Sequence, residues 1–203
     1  MPRPATCRSA SHHVFQIAFA GDEHVPRRVR DREFRFGRHH RGLRGHAARA
    51  PWLLNGAKTL SYAISQSEHR LCDRRGIGDS IQYTTDGFTL ECPNSSIVGQ
   101  YGDTFVTPDP RIGILNGTSQ RELFAWALEE GKKVEYRKLP LAELREADHL
   151  FMTHGGWAIP VCELDGRPYE VDAAQVEAIN DAMHTGRTHD LALTIGPSGD
   201  YEF

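Results

Sequence analysis

Gly56-Ala57-Lys58-Thr59-Leu60-Ser61-Tyr62 sets a solitary lysine between an apolar run, Trp52-Leu53-Leu54, and a stretch whose apolar residues recur at helical spacing. Lysine is scarce in this chain. Lys132, Lys133 and Lys138 crowd one polar stretch and read as a solvated face, while Lys58 stands alone between Ala57 and Leu60. A lysine held among apolar neighbours loses part of its hydration, which disfavours the ammonium form and leaves an amine able to attack a carbonyl. Lys58 is therefore a candidate for Schiff-base chemistry. A surface lysine whose stem covers apolar area accounts for the same seven residues.

Working outward, the 203-residue chain suits one ordinary domain, or one domain with an appendage, and is long enough to bury a full core. Its charge is split. Residues 1–50 hold eleven Arg, no Lys and four acids, a formal +7, whereas the remainder holds thirteen bases and twenty-three acids, a formal −10. Cys7, Cys72, Cys92 and Cys162 are far apart, without a C-x-x-C pair, so neither a zinc site nor a disulfide framework is expected, and a reducing cytoplasm fits. No apolar run reaches the roughly 18 residues of a membrane helix. Val14 to Ala20 is short and interrupted by Gln16, a poor signal core, so export is not expected.

The segment 1–50 shows no sustained period, and Arg27-Arg28-Val29-Arg30 and Arg38-His39-His40-Arg41 add charge without an apolar face. It reads as poorly ordered. A basic arm tracking phosphates is the functional alternative, though aromatic residues are few, and His39, His40 and His46 lack the Cys or carboxylate that would complete a metal site. From Lys58 to Arg75 the apolar positions Leu60, Ala63, Ile64 and Leu71 share one helical face, with Gly76 as the stop. Ile81-Gln82-Tyr83 and Phe88-Thr89-Leu90 flank Asp86-Gly87 as a hairpin, with Glu91 at its far end. Ile97-Val98 and Phe105-Val106 flank Tyr101-Gly102-Asp103 as another, closed by Pro108 and Pro110.

Gly113 to Ser119 leads into a helix from Gln120 to Leu128 stopped by Gly131, with Ser119 and Glu122 as a capping box. A Gly-Thr-Ser turn at a helix start offers free N–H groups, two hydroxyls and the positive end of the dipole, which suit a phosphate; a merely capped helix has the same wording. Val134-Glu135-Tyr136 reads as a strand, Leu141 to Ala147 as a short helix, and Leu150-Phe151-Met152 as a buried strand ending in Thr153-His154-Gly155-Gly156. The two glycines permit close approach of a ligand, or simply a turn. Ile159 to Cys162 and Asp165-Gly166 give a further strand and turn, and Ala173 to Met183 a last helix with Val176 and Ile179 inward; from Thr185 the chain is polar.

Taken together, Gly56-Ala57-Lys58, Asp86-Gly-Phe-Thr-Leu-Glu91, Thr107-Pro108, Gly113-Ile-Leu-Asn-Gly-Thr-Ser119, Ala147-Asp148 and Pro160-Val161 to Asp165-Gly166 resemble, in one order, the fold-type IV pyridoxal-phosphate enzymes. These include branched-chain and D-amino-acid transaminases and aminodeoxychorismate lyase, and the wording Trp52 to Tyr62 is most similar to the aminodeoxychorismate lyase or class IV aminotransferase branch. The resemblance runs from about Trp52 to Tyr169. It implies an α+β fold, the large-domain part of the D-amino-acid aminotransferase-like fold, with a mixed sheet or pseudo-barrel and helices. Pyridoxal 5'-phosphate is the implied cofactor, and a small-molecule amino compound the implied substrate.

The resemblance also implies a homodimer in the cytoplasm, working in folate biosynthesis, with no membrane or nucleic-acid partner. Residues 1–50 then form an Arg-rich segment, 51–186 the cofactor-binding domain and 187–203 a polar tail. Lys58 matches the lysine that holds the cofactor and moves the proton, Glu91 the carboxylate facing the pyridine nitrogen, and Tyr62 the tyrosine on the ring hydroxyl, one residue closer to the lysine than usual. Thr118 and Ser119 match the phosphate-holding turn, and Thr153, Gly155 and Gly156 the turn meeting phosphate and substrate carboxylate.

The sequence departs from the family pattern at Asn116, Gln120 and Ser96, which stand where proline, arginine and asparagine are usual. Only 57 residues precede Lys58, and they do not resemble the small domain that precedes the family's lysine and supplies an arginine to the phosphate. The expectation is a shortened relative, or a site completed by another chain. The activity implied is that of aminodeoxychorismate lyase, with a class IV aminotransferase as the alternative. A non-catalytic remnant whose basic arm binds nucleic acid or a partner is the third.

Overall fold

The computed structural model describes residues 56–75, 78–84 and 86–197. The readings of residues 1–50, of Trp52-Leu53-Leu54 and of Gly76 lie outside them. Five strands form one mixed sheet: β1 (Ser96–Tyr101), β2 (Thr104–Pro108), β3 (Lys133–Arg137), β4 (His149–His154) and β5 (Trp157–Val161), in the order β3-β2-β1-β4-β5. The hairpin around Gly102 pairs β1 with β2, and β1 and β4 run antiparallel with Ser96 opposite Thr153. β3 lies parallel to β2, which demands a crossover. Helix α2 (Thr118–Glu129) makes it; α1 is Ala63–Arg75, α3 Leu141–Leu144, α4 Ala173–His184 and α5 His189–Thr194.

The central strands are apolar at consecutive positions because both faces of the sheet are covered. Val98, Phe105, Phe151 and Ala158 point to one face and meet Leu123, Phe124, Trp126 and Ala127 of α2 and Val176, Ile179, Ala182 and Met183 of α4. Ile97, Val106, Leu150 and Val161 point to the other, where they meet Cys92, Leu139, Leu144 and Tyr169. On the helical face Trp126 stands edge-on to Phe105, ring centroids 5.9 Å apart, which fixes α2 over β2. Edge strand β5 is covered by α4: the Ala158 N–H donates to Asn180 Oδ1 at 2.8 Å, and Asn180 Nδ2 donates to the Ala158 carbonyl at 3.0 Å. Asp172 caps α4 by accepting the Gln175 N–H at 3.0 Å.

The turns follow their glycines. Asp165 and Gly166, at φ 48° and 81°, make the two-residue turn between β6 (Glu163–Leu164) and β7 (Arg167–Pro168), as a hairpin of this length requires. The Asp86-Gly87 hairpin closes with the Phe88 N–H on Thr84 Oγ1 and a bridge between Tyr83 and Thr89. Gly131, at φ 71°, ends α2.

Two readings are corrected. Of the four residues read as one helical face, Leu60 precedes the helix and is 92 % exposed, Ala63 and Ile64 are exposed, Ile64 at 68 %, and Leu71 is half-buried. Helix α1 is held through its later turns: Cys72 is buried, Gln82 Nε2 donates to both oxygens of Glu68 at 3.1 and 2.9 Å, and Asn94 Nδ2 lies 2.6 Å from His69 Nε2. Helical spacing says which residues share a face, not what covers it. Within 187–203, read as a polar tail, α5 forms and packs Ala192 inward against the rest of the domain, with Glu122 of α2 3.7 Å from His189.

Cys72, Cys92 and Cys162 are buried, and burial pushes the Cys72 thiol up to about 11 and the Cys92 thiol well above its ordinary value. No helix among the described residues is long and apolar enough to cross a membrane, and no cluster among them could hold a metal.

Beneath α1, Asp79 accepts the Ser80 N–H at 2.8 Å, yet burial, reinforced by the Glu68 charge, raises its carboxyl to about 7. The unfolded chain releases this proton in the ordinary carboxyl range, whereas the folded chain keeps it to about pH 7. Asp79's contribution to stability is therefore full below the ordinary range and is lost as pH rises through that window. Asp79→Asn is expected to raise the thermal midpoint at about pH 8.5 and to leave it nearly unchanged at about pH 4. An equal effect at both values in paired melts would contradict the burial of this group.

Candidate functional site

The site grows from the loop that joins β2 to α2. Asp109, buried at its start, accepts the Arg111 N–H at 2.9 Å and the Arg111 guanidinium, and caps the single 3-10 turn Pro110–Ile112. Burial alone would raise this carboxyl, but the Arg111 hydrogen bonds outweigh it and hold it below its ordinary value. Gly113, at φ 88°, closes the turn on the Pro110 carbonyl. The chain then directs the Leu115 N–H to Glu91 Oε2 at 3.2 Å. Glu91 is half-buried at the end of the first hairpin, its carbonyl accepting the Gln82 N–H at 2.9 Å.

Gly117, extended at φ −66° and ψ 131°, precedes α2, whose first helical bond runs from the Arg121 N–H to the Gly117 carbonyl. The amides of Thr118, Ser119 and Gln120 thus have no intrahelical acceptor and face outward at the positive end of the dipole. Ser119 does not form the expected capping box. It lies inside the helix, and its Oγ accepts the Gly156 N–H at 2.9 Å, while Glu122 faces α5. Gly155 and Gly156, at φ 58° and 83°, are the two-residue turn between His154 and Trp157. Turn geometry accounts for both glycines, and the Ser119 bond seats that turn on the helix N-terminus.

Thr118, Ser119, Thr153, Gly155 and Gly156 are therefore brought to one place. Glu91 is tied to the loop that enters it. Thr153 Oγ1 is buried there without a hydrogen-bond partner, a costly arrangement for a hydroxyl and one that an anionic ligand would relieve. The donor set is N–H and O–H groups, which suits a phosphate. Gln120 is buried in the same first turn, within 3.2 Å of the Tyr136 hydroxyl.

Lys58 and Tyr62 are placed differently. Both are exposed in the arm leading to α1, with Ala57 and Leu60 also exposed, so the apolar shell expected around Lys58 is absent among the described residues. Neither side chain makes a hydrogen bond or ion pair to the described residues. Ser96, noted in the sequence only as a departure, lies under Gly117: a Cβ built there would stand 2.6 Å from Ser96 Oγ. Nothing in the local sequence pairs Ser96 with Gly117, because the strand register brings them together.

The sequence pattern of the amino-transferase class IV family matches residues 32–164, beginning inside the Arg-rich segment rather than after it. The chain is 36 % identical over 133 residues to the bifunctional aminodeoxychorismate lyase / D-amino acid transaminase of Mycobacterium tuberculosis, covering 62 % of this chain and 44 % of that protein. It is 34 % identical over 101 residues to branched-chain-amino-acid aminotransferase 1, mitochondrial, of Arabidopsis thaliana, covering 48 % of this chain and 26 % of that one.

Among solved structures, a fold IV-transaminase from Curtobacterium pusillum superposes with a TM-score of 0.65 at 39 % identity, covering 70 % of this chain and 47 % of that one. The PLP-bound form of a hypothetical aminotransferase from Mycobacterium tuberculosis gives 0.62 at 35 %, covering 69 % and 49 %. The chain thus spans about half the length of these structures or less of its curated relatives. A match that takes in the Lys58 arm, the Glu91 hairpin and the α2 turn in one continuous stretch makes this chain a member of the amino-transferase class IV family.

Proposed function

We propose that this chain carries the cofactor half of a pyridoxal-phosphate enzyme of the 4-amino-4-deoxychorismate lyase type. One observation carries the reading. The N–H and O–H groups of Thr118, Ser119 and Thr153 gather at the start of α2, and the Leu115 N–H of the loop entering that helix donates to the Glu91 carboxylate. Bound pyridoxal phosphate supplies an electron sink for a carbanion at the substrate α-carbon. The α2 amides with the Ser119 and Thr153 hydroxyls would hold the phosphate, the Gly155-Gly156 turn being seated beside them through the Gly156 bond to Ser119. Glu91, its Oε2 oriented by the Leu115 N–H, would keep a proton on the ring nitrogen, and Tyr62 would serve the ring hydroxyl. Lys58 Nζ would be the amine on which the cofactor is held and the base that moves the α-proton. The working enzyme is a cytoplasmic homodimer acting on a small amino compound, and its assembly must enclose the exposed Lys58 arm to exclude water.

A lyase splits aminodeoxychorismate into pyruvate and 4-aminobenzoate without a second substrate. A transaminase needs a keto acid to complete its cycle. The mycobacterial relative is named for both lyase and D-amino acid transaminase, and the Arabidopsis relative for a branched-chain aminotransferase, which keeps a D-amino-acid or branched-chain transaminase as the second reading. Incubation with aminodeoxychorismate and no keto acid is expected to accumulate 4-aminobenzoate. Turnover of D-amino or branched-chain acids only when 2-oxoglutarate is present would overturn the lyase reading.

Protein mixed with pyridoxal phosphate is expected to develop a near-visible absorption band that Lys58→Ala lacks. Absence of the band from the parent would sink the enzyme reading and leave a remnant, whose basic arm a salt-sensitive DNA shift would detect. Glu91→Gln should keep the band and lose turnover on the order of a hundredfold; parental turnover in this variant would remove Glu91 from the site.

A further inference from the structure

Ser96 and Thr153 sit directly opposite one another in the antiparallel β1–β4 pair, so their side chains leave the sheet on the same face, close together. That face is fixed by the residues two along each strand. Val98 and Phe151 pack under α2 and α4, and with a period of two Ser96 and Thr153 project to the same helical side, at the end where α2 begins. Ser96 Oγ reaches the helix N-terminus itself, since a Cβ at Gly117 would stand 2.6 Å from it.

Both residues are more than nine-tenths buried, Ser96 at 8 % and Thr153 at 3 % exposure. Thr153 Oγ1 is fully buried without a hydrogen-bond partner, and Ser96 Oγ lies beside it in the gap beneath Gly117. A buried hydroxyl left without an acceptor is costly unless something accepts from it. Ser119 adds a third O–H, because its Oγ lone pair is occupied by the Gly156 N–H and its own proton is free to be donated.

We propose that Ser96 and Thr153 form a paired-hydroxyl floor for a phosphate monoester at the start of α2, with Ser96 a binding residue and Gly117 kept free of a side chain by the approach of Ser96. This rests on the reading of that helix start as the cofactor's phosphate site. The floor adds neutral hydroxyl donors to the helix amides, so the grip on a dianion comes from hydrogen bonds and the helix dipole. Gly117→Ala fills the gap between floor and helix.

The test measures inorganic phosphate binding by calorimetry on protein without cofactor, and compares pyridoxal phosphate with pyridoxal by absorption, in the parent, Ser96→Ala, Thr153→Val, Thr153→Ser and Gly117→Ala. Circular dichroism checks that each variant folds. Ser96→Ala and Thr153→Val are expected to weaken phosphate about tenfold each and to shrink the preference for the phosphorylated cofactor, with Thr153→Ser close to the parent. Gly117→Ala should lose phosphate binding.

If the parent binds inorganic phosphate through these hydroxyls yet takes up no pyridoxal phosphate, the floor stands and the cofactor reading falls. If every folded variant takes up pyridoxal phosphate like the parent, the cofactor reading stands and the floor is overturned. A parent that binds neither overturns both.

Discussion

The hydrogen bond from the Gly156 N–H to Ser119 Oγ joins two segments that the chain separates widely, the β4–β5 turn and the start of α2. On its own such a bond contributes about 1 kcal/mol. It holds because the elements behind it are already fixed: Phe105, Phe151, Leu123 and Phe124 are fully buried between sheet and helix and leave α2 little freedom to slide along the strands. The ligand-facing groups are thus set by packing several residues away from them. A site arranged this way loses little entropy when an anion arrives.

The same logic governs Glu91. Its carboxylate is oriented by a backbone N–H whose direction depends on the Asp109–Arg111 cap and on Gly113. The arm bearing Lys58 is held in another way, by the polar contacts Glu68–Gln82 and His69–Asn94 and by one buried thiol, while Leu60 and Ile64 stay in solvent. The rigid part of the proposed site is the start of α2 with Glu91. The Lys58 arm rests on the weaker attachment.

Much of this was legible where short-range chemistry decides structure. Asp86-Gly87, Asp165-Gly166 and Gly155-Gly156 announce turns because few other residues adopt positive φ, and Val176 and Ile179 face inward as their spacing in α4 requires. What was not legible depends on tertiary partners. Ser119 and Glu122 have the wording of a capping box, but Gly156 takes the serine and α5 the glutamate. The start of α1 leaves Leu60 and Ile64 in solvent because their spacing carries a period and no indication of a partner. Ser96 became visible only through the register of β1 against β4. The roles proposed for Lys58, Tyr62 and Glu91 come from the family resemblance, and the geometry connects Glu91 alone of the three to the helix start.

The most direct test of this account exploits the scarcity of lysine. The chain has four. Borohydride reduction of the protein loaded with pyridoxal phosphate, followed by mass spectrometry of its peptides, locates the amine that holds the cofactor. A single pyridoxyl group on Lys58 is predicted, dependent on the Ser119 and Thr153 hydroxyls at the start of α2. Labelling spread over Lys132, Lys133 and Lys138, or no stoichiometric label at all, would contradict it.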